Sequence, residues 1–276
     1  MKKITSFIGS IFIFAILSVN TVLADESISD ADIYQLMDKS GLTRAIEGLP
    51  LQMQAMGQQM ALTEKDTDEH SALMKILISS LDTDVMLNIM AAYSKNEFSN
   101  AEVQSLLAWL NTELTSKVIN AELQATEPEF QQNLMRYIAD LQTTPPTQQR
   151  SQMVINFVES SGMVEQALNM IHGLVKNMFA AVKANDPQNT ELATQLDTQL
   201  EQMMAMMKPS MEQQMVLTSY YIYRDISDAE LAQYSKFYTQ DLGAKYLSTV
   251  YTGLGKAMSN WGTNLVTQIE SAKKQD

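Results

Sequence analysis

Ile226–Tyr246, ISDAELAQYSKFYTQDLGAKY, and Phe98–Val118, FSNAEVQSLLAWLNTELTSKV, are two versions of one helical pattern. Ser227-Asp-Ala-Glu230 reads as a capping box: the Ser hydroxyl accepts from the backbone three residues on, and the Glu carboxylate reaches back to the Ser N–H. Ser99-Asn-Ala-Glu102 repeats it 128 positions earlier, with Phe98 and Ile226 placed as hydrophobic staples. Apolar residues then recur at helical spacing. They are Leu231, Tyr234, Phe237, Tyr238 and Leu242 in one stretch, and Val103, Leu106, Leu107, Leu110 and Leu114 in the other. At this offset Trp109 aligns with Phe237, Lys117 with Lys245, and Tyr93 with Tyr221.

A second pair sits nearer each start. Ile33–Leu42 resembles Val154–Met163 at an offset of 121, and Gly41 and Gly162 each stand where a left-handed residue ends a helix. The two offsets differ by seven residues, two helical turns, which keeps the same face buried. The expectation is an all-α fold without β-sheet: two tandem related helical units, 25–142 and 148–276, joined by the Pro-rich stretch 143–147 (Thr-Thr-Pro-Pro-Thr).

Elsewhere the chain is rich in Ala, Leu, Met, Gln and Glu, which favour helices, and lacks β-branched alternation. Ser29 is placed to cap a helix through Lys39, and Pro50 to kink or restart the stripe Leu42 to Met60. Thr63–Glu69 reads as a loop, Asp82-Thr-Asp84 as a restart, and Asn185-Asp-Pro187 as a turn. Pro209 is expected to end the stripe Leu192 to Met207. After Gly243 the pattern resumes from Leu247 to Leu265, as one long helix or as two parting at the glycines 253 and 255.

Residues 1–24 read as a cleavable secretory signal: Lys2 and Lys3, an apolar run Ile11–Leu17 too short to span a bilayer, and Val22-Leu-Ala24 before Asp25. A periplasmic location is expected, with secretion as the alternative. The mature chain would have no membrane span. It has no Cys, so its stability must come from packing. Its net charge of −13 becomes −15 once Lys2 and Lys3 are removed, which disfavours nucleic acid.

Residues 210–250, with Phe237-Tyr238, Gly243 and Lys245 after a capped Ala-Glu-Leu start, resemble the secreted helical bacterial family catalogued as domain of unknown function 2059. Residues 86–122 are a degenerate second likeness, with Trp109-Leu110 for Phe-Tyr and Thr115 for Gly243. The resemblance implies a helical exported protein and marks Ser227, Glu230, Phe237, Tyr238 and Gly243 as its signature. It implies no activity.

Catalytic motifs are sparse. His70 and His172 have no ligands at metal spacing, and no nucleophile elbow or phosphate loop is present. Glu102 and Glu230 are the pair that an envelope-polymer hydrolase would use, with Glu230 as acid, but capping already accounts for both. Methionine is the compositional anomaly, with 20 in the chain. Met203, Met204, Met206, Met207 and Met211 are soft ligands of the kind a Cu(I) carrier uses. Against this, Met is a flexible core filler and these residues fall on the expected buried stripes; a middle reading is a pliable groove for an apolar partner. The preferred reading is a non-enzymatic binding or accessory module without cofactor, whose partner is an unidentified protein or apolar ligand.

Overall fold

The computed structural model describes residues 27–61, 74–185 and 190–273. The expected signal segment 1–24, the expected loop 63–69, His70 and most of the expected turn at 185–187 lie outside them. Among the described residues all regular structure is helical, with no strand. The first stretch holds α1 (Asp30–Lys39), α2 (Leu42–Glu47), α3 (Leu49–Ala61), α4 (74–79), α5 (Thr83–Glu97), α6 (Asn100–Leu110), α7 (Glu113–Leu123) and α8 (Phe130–Leu141). The second holds α9 (Gln148–Ser160), α10 (Met163–Asn185), α11 (Thr190–Ile222), α12 (Asp228–Tyr238) and α13 (Asp241–Lys273).

Local chemistry sets most boundaries. Ser29, Asp82, Ser99, Thr112, Thr147 and Ser227 each accept a backbone N–H at a helix start. Both capping boxes are complete. Gly41 (φ 77°) and Gly162 (φ 62°) take the left-handed conformation between α1 and α2 and between α9 and α10. Pro50 falls in the first turn of α3, where its missing N–H costs no helical bond. Pro209, by contrast, does not end a helix: α11 runs through it as one 33-residue element. Packing overrides the local penalty, because Met204, Met207, Met211 and Met215, before and after the proline, all lie against one core. α13 likewise passes Gly243, Gly253 and Gly255 unbroken.

The two offsets found in the sequence return as matched elements. α6 and α12 have 11 residues each and begin 128 apart; α7 and α13 also begin 128 apart. α1 and α9 end 121 apart. Their buried faces agree as well: Ile33, Leu36 and Met37 correspond to Val154, Phe157 and Val158, all at most 4% exposed.

The cores, however, are not divided at 143–147. One core joins α1, α2, α5 and α6 to Tyr246, Ala257 and neighbouring positions of α13. The other joins α9, α10, α12 and the end of α11 to Val118 and Ala121 of α7. α8 lies on α11, where Phe130 and Leu134 meet Tyr221. Each core therefore draws on residues from both sides of 143–147, and α7 and α13 lie between the two: Ile119 of α7 belongs to the first core while Val118 and Ala121 belong to the second, and α13 packs on both α5 and α10.

Reciprocal contacts tie the two stretches together. Lys245 binds Glu102 at 2.7 Å and Lys117 binds Glu230 at 2.8 Å, a Lys–Glu pair in each direction between positions 128 residues apart. Trp109 stacks on its own counterpart, Phe237, with ring centroids 3.7 Å apart and planes 13° apart.

The halves differ at one tight corner. A Cβ on Gly243 would lie 2.1 Å from the Phe237 carbonyl oxygen, a backbone atom that cannot swing aside. The matching residue in the first stretch is Thr115, fully buried and hydrogen-bonded to Thr112. Gly243→Ala is therefore expected to destabilise the protein by about 1–3 kcal/mol. Gly255→Ala, where a Cβ would meet open space, is expected to be neutral or to stabilise by about 0.5–1 kcal/mol through helix propensity. Urea unfolding midpoints of the two variants check the contrast.

Candidate functional site

Glu102 and Glu230 are structural in their placement. Each accepts from its Ser backbone N–H at 2.8 Å and receives a lysine from the opposite stretch. The Lys117 ammonium, then the Ser227 hydroxyl and N–H, hold the Glu230 carboxyl down to about 2. Lys245 and Ser99 likewise lower Glu102. An acid so depressed is ionised at neutral pH and holds no proton to donate to a leaving group. Ser227 is the cap, Phe237 the stacking partner of Trp109, and Gly243 the corner; none of these three lines the grooves described below.

The methionines divide. Met204, Met207, Met211 and Met215 pack against the second core, as the stripe requires. Met203 and Met206 do not: they are 40% and 75% exposed, on the outer side of α11. The nominated thioethers thus split between an inner and an outer face, because the expected stripe is narrower than the run Met203-Met204-Ala-Met206-Met207. Among the described residues no group of three His, Cys, Asp or Glu side chains could hold a metal ion, and His172 is half-buried on α10.

Two features stand out instead. The first is a groove of about 340 Å³ between α8 and α11, lined by Phe130, Leu134, Met211 and Met215 with Gln131, Gln214 and Thr218 at its polar positions. On the far side of the α8–α11 contact a second depression, about 320 Å³, carries Met135, Ile138 and Leu217. Met135, at 71% exposed, and Met206 bring further thioether surface to these two helices.

The second is a polar cluster that the sequence reasoning missed. Glu122, near the end of α7, accepts from the Tyr223 hydroxyl at 2.8 Å and the Tyr234 hydroxyl at 3.3 Å. Tyr238 donates in turn to the Tyr234 hydroxyl at 2.9 Å. Part of the Glu122 residue still touches solvent, but its carboxyl group is enclosed by these rings. Burial raises that carboxyl to about 7 against the pull of the two hydroxyls. Burial, and then the Glu122 charge, push Tyr223 and Tyr234 well above the usual phenol range. A signal was present in the sequence: Thr115, Val118, Ile119 and Glu122 follow the spacing of one buried helical face.

No family model, curated protein or solved structure matches the chain. No helix among the described residues is long and apolar enough to cross a membrane.

A carboxyl near 7 in the native state and near 4.5 when unfolded makes the native protein bind the extra proton between those values. Its stabilising contribution is complete below about pH 4.5 and is lost as pH rises through 7, a change on the order of 3 kcal/mol. Denaturant unfolding from pH 5 to 8.5 should show this decline in the wild type. It should be absent from Glu122→Gln, which is neutral at every pH and still accepts from the tyrosines.

Proposed function

We propose that the protein is a non-enzymatic binding module of the periplasm, exported by its N-terminal segment, and that the α8–α11 groove holds an apolar peptide segment of a partner protein. The observation that carries this reading is the groove walled by Phe130, Leu134, Met211 and Met215, with the exposed thioether of Met135 in the adjoining depression. Methionine adapts its shape and suits a surface that repacks around varied apolar side chains. Gln131, Gln214 and Thr218 add uncharged hydrogen-bonding groups of the kind a peptide backbone needs.

The matched helices, reciprocal ion pairs and shared left-handed glycines support descent of both halves from one doubled unit. They also favour the likeness of residues 210–250 to the domain of unknown function 2059, since Gly243 in that signature occupies a corner that excludes a side chain. The hydrolase reading lacks a proton donor at Glu230, and the copper reading lacks convergence of its thioethers.

The test is titration of the mature chain with a fluorophore-labelled, uncharged peptide rich in Leu, Met and Phe. Saturable binding is expected, weakened about tenfold or more, roughly 1.4 kcal/mol, by Met135→Gln combined with Met211→Gln. An absence of saturation, or affinity indifferent to those substitutions, would contradict the reading.

A further inference from the structure

The two halves provide an internal comparison for the Glu122 cluster. At the 128-residue offset, Glu122, Tyr234 and Tyr238 correspond to Val250, Leu106 and Leu110. In the first core those three are apolar and packed together with the α13 arm. The second core has the same architecture with a carboxyl and two phenols instead. Packing alone therefore does not call for the polar set, since the equivalent arm is held by aliphatic side chains. A buried carboxyl without a cation is costly when charged, and at Glu122 that cost outweighs the two phenol hydrogen bonds, which favour the charged form.

The position of Glu122 is mechanically specific. It is the penultimate residue of α7, in the turn before the 3-10 turn Gln124–Thr126 that leads into α8. α8 is one wall of the Met-lined groove and α11 the other, and Tyr223 directly follows α11. The Glu122–Tyr223 bond thus fastens the arm that carries one wall to the end of the helix that forms the other.

The groups around this junction leave the proton as the variable. Tyr223, Tyr234 and Tyr238 bond within the cluster, and Tyr246 and Tyr251 of α13 lie close enough to feel the Glu122 charge. Arg150 of α9 is engaged by Asp228 at 2.8 Å and by the Tyr223 carbonyl at 2.5 Å. Arg224 binds Gln124 and the Tyr221 carbonyl and pairs with Asp225. Lys117, earlier on α7, is held by Glu230. None of these cations is bonded to Glu122.

We infer that Glu122 is a proton-operated latch on the α7–α8 arm: protonated, it fastens the arm to α11 and α12, and ionised, it loosens the arm and with it the α8 wall of the groove. The regulatory consequence rests on the groove reading proposed above; the latch itself does not. Ionisation near neutrality, where burial places this carboxyl, gives the device a working range that an exported protein meets in its surroundings.

Hydrogen exchange of the full mature chain, without ligand, reads the latch directly. With intrinsic rates corrected for pH, amides of 113–141 should lose roughly tenfold protection between pH 5.5 and 8.5 relative to those of α1 and α5. Glu122→Gln should abolish this difference. Tyr223→Phe removes a hydroxyl that favours the ionised form, so the transition should move to higher pH. Arm protection that follows α1 and α5 at every pH, or a transition that persists in Glu122→Gln or stays fixed in Tyr223→Phe, would overturn the latch. Failure of the peptide to bind would overturn the groove reading alone, because exchange is measured without it.

Discussion

The stack of Trp109 on Phe237 is the contact about which the molecule is arranged. It joins α6 to α12 across the two halves. The stack extends to Tyr234, whose ring centroid lies 5.6 Å from that of Trp109, and to Tyr238 edge-on at the same distance. After the short corners that follow α6 and α12, α7 runs between the cores, with Ile119 in the first and Val118 and Ala121 in the second, and α13 packs along both α5 and α10. The two Glu–Lys pairs across this junction are partly exposed and add little energy of their own. Their value is in register: each sets a capped helix start against the arm of the opposite half.

This arrangement explains why a chain without cysteine needs no crosslink to join its halves. Neither core is complete without residues from beyond the 143–147 stretch, so separating the halves would expose both at once. It also shows how matched halves diverge. α13 continues for 33 residues, while the first stretch spends the corresponding length on α7, a 3-10 turn and α8. The break follows Glu127-Pro128, where a proline cannot continue a helix. The result is a straight arm packed along α5 and α10 on one side, and on the other a jointed arm that leaves a groove against α11.

Much of this was legible in the sequence because it is local chemistry. Capping boxes, left-handed glycines and 3.6-residue periodicity act within a few residues and declare themselves in one dimension. The sharing of α7 and α13 between the cores was not legible, because α7 carries the same apolar pattern whichever core receives it. Pro209 misled for a related reason: its penalty is local, whereas the packing that carries α11 through it comes from other helices. Met203 and Met206 were indistinguishable from core methionines until the width of the buried face was known. Glu122 was readable as a carboxyl on an apolar face, but its tyrosine partners stand about a hundred residues away and come together only through the shared arm.

The central claim, that α6 and α12 are joined through the stack of Trp109 on Phe237, is tested most directly by a double-mutant cycle. Trp109→Leu, Phe237→Leu and the double variant would be compared by equilibrium unfolding of the protein. The account predicts non-additivity, with a coupling energy of about 0.5–1.5 kcal/mol for a stacked aromatic pair. Strict additivity of the two substitutions would mean that the rings do not meet, and would contradict it.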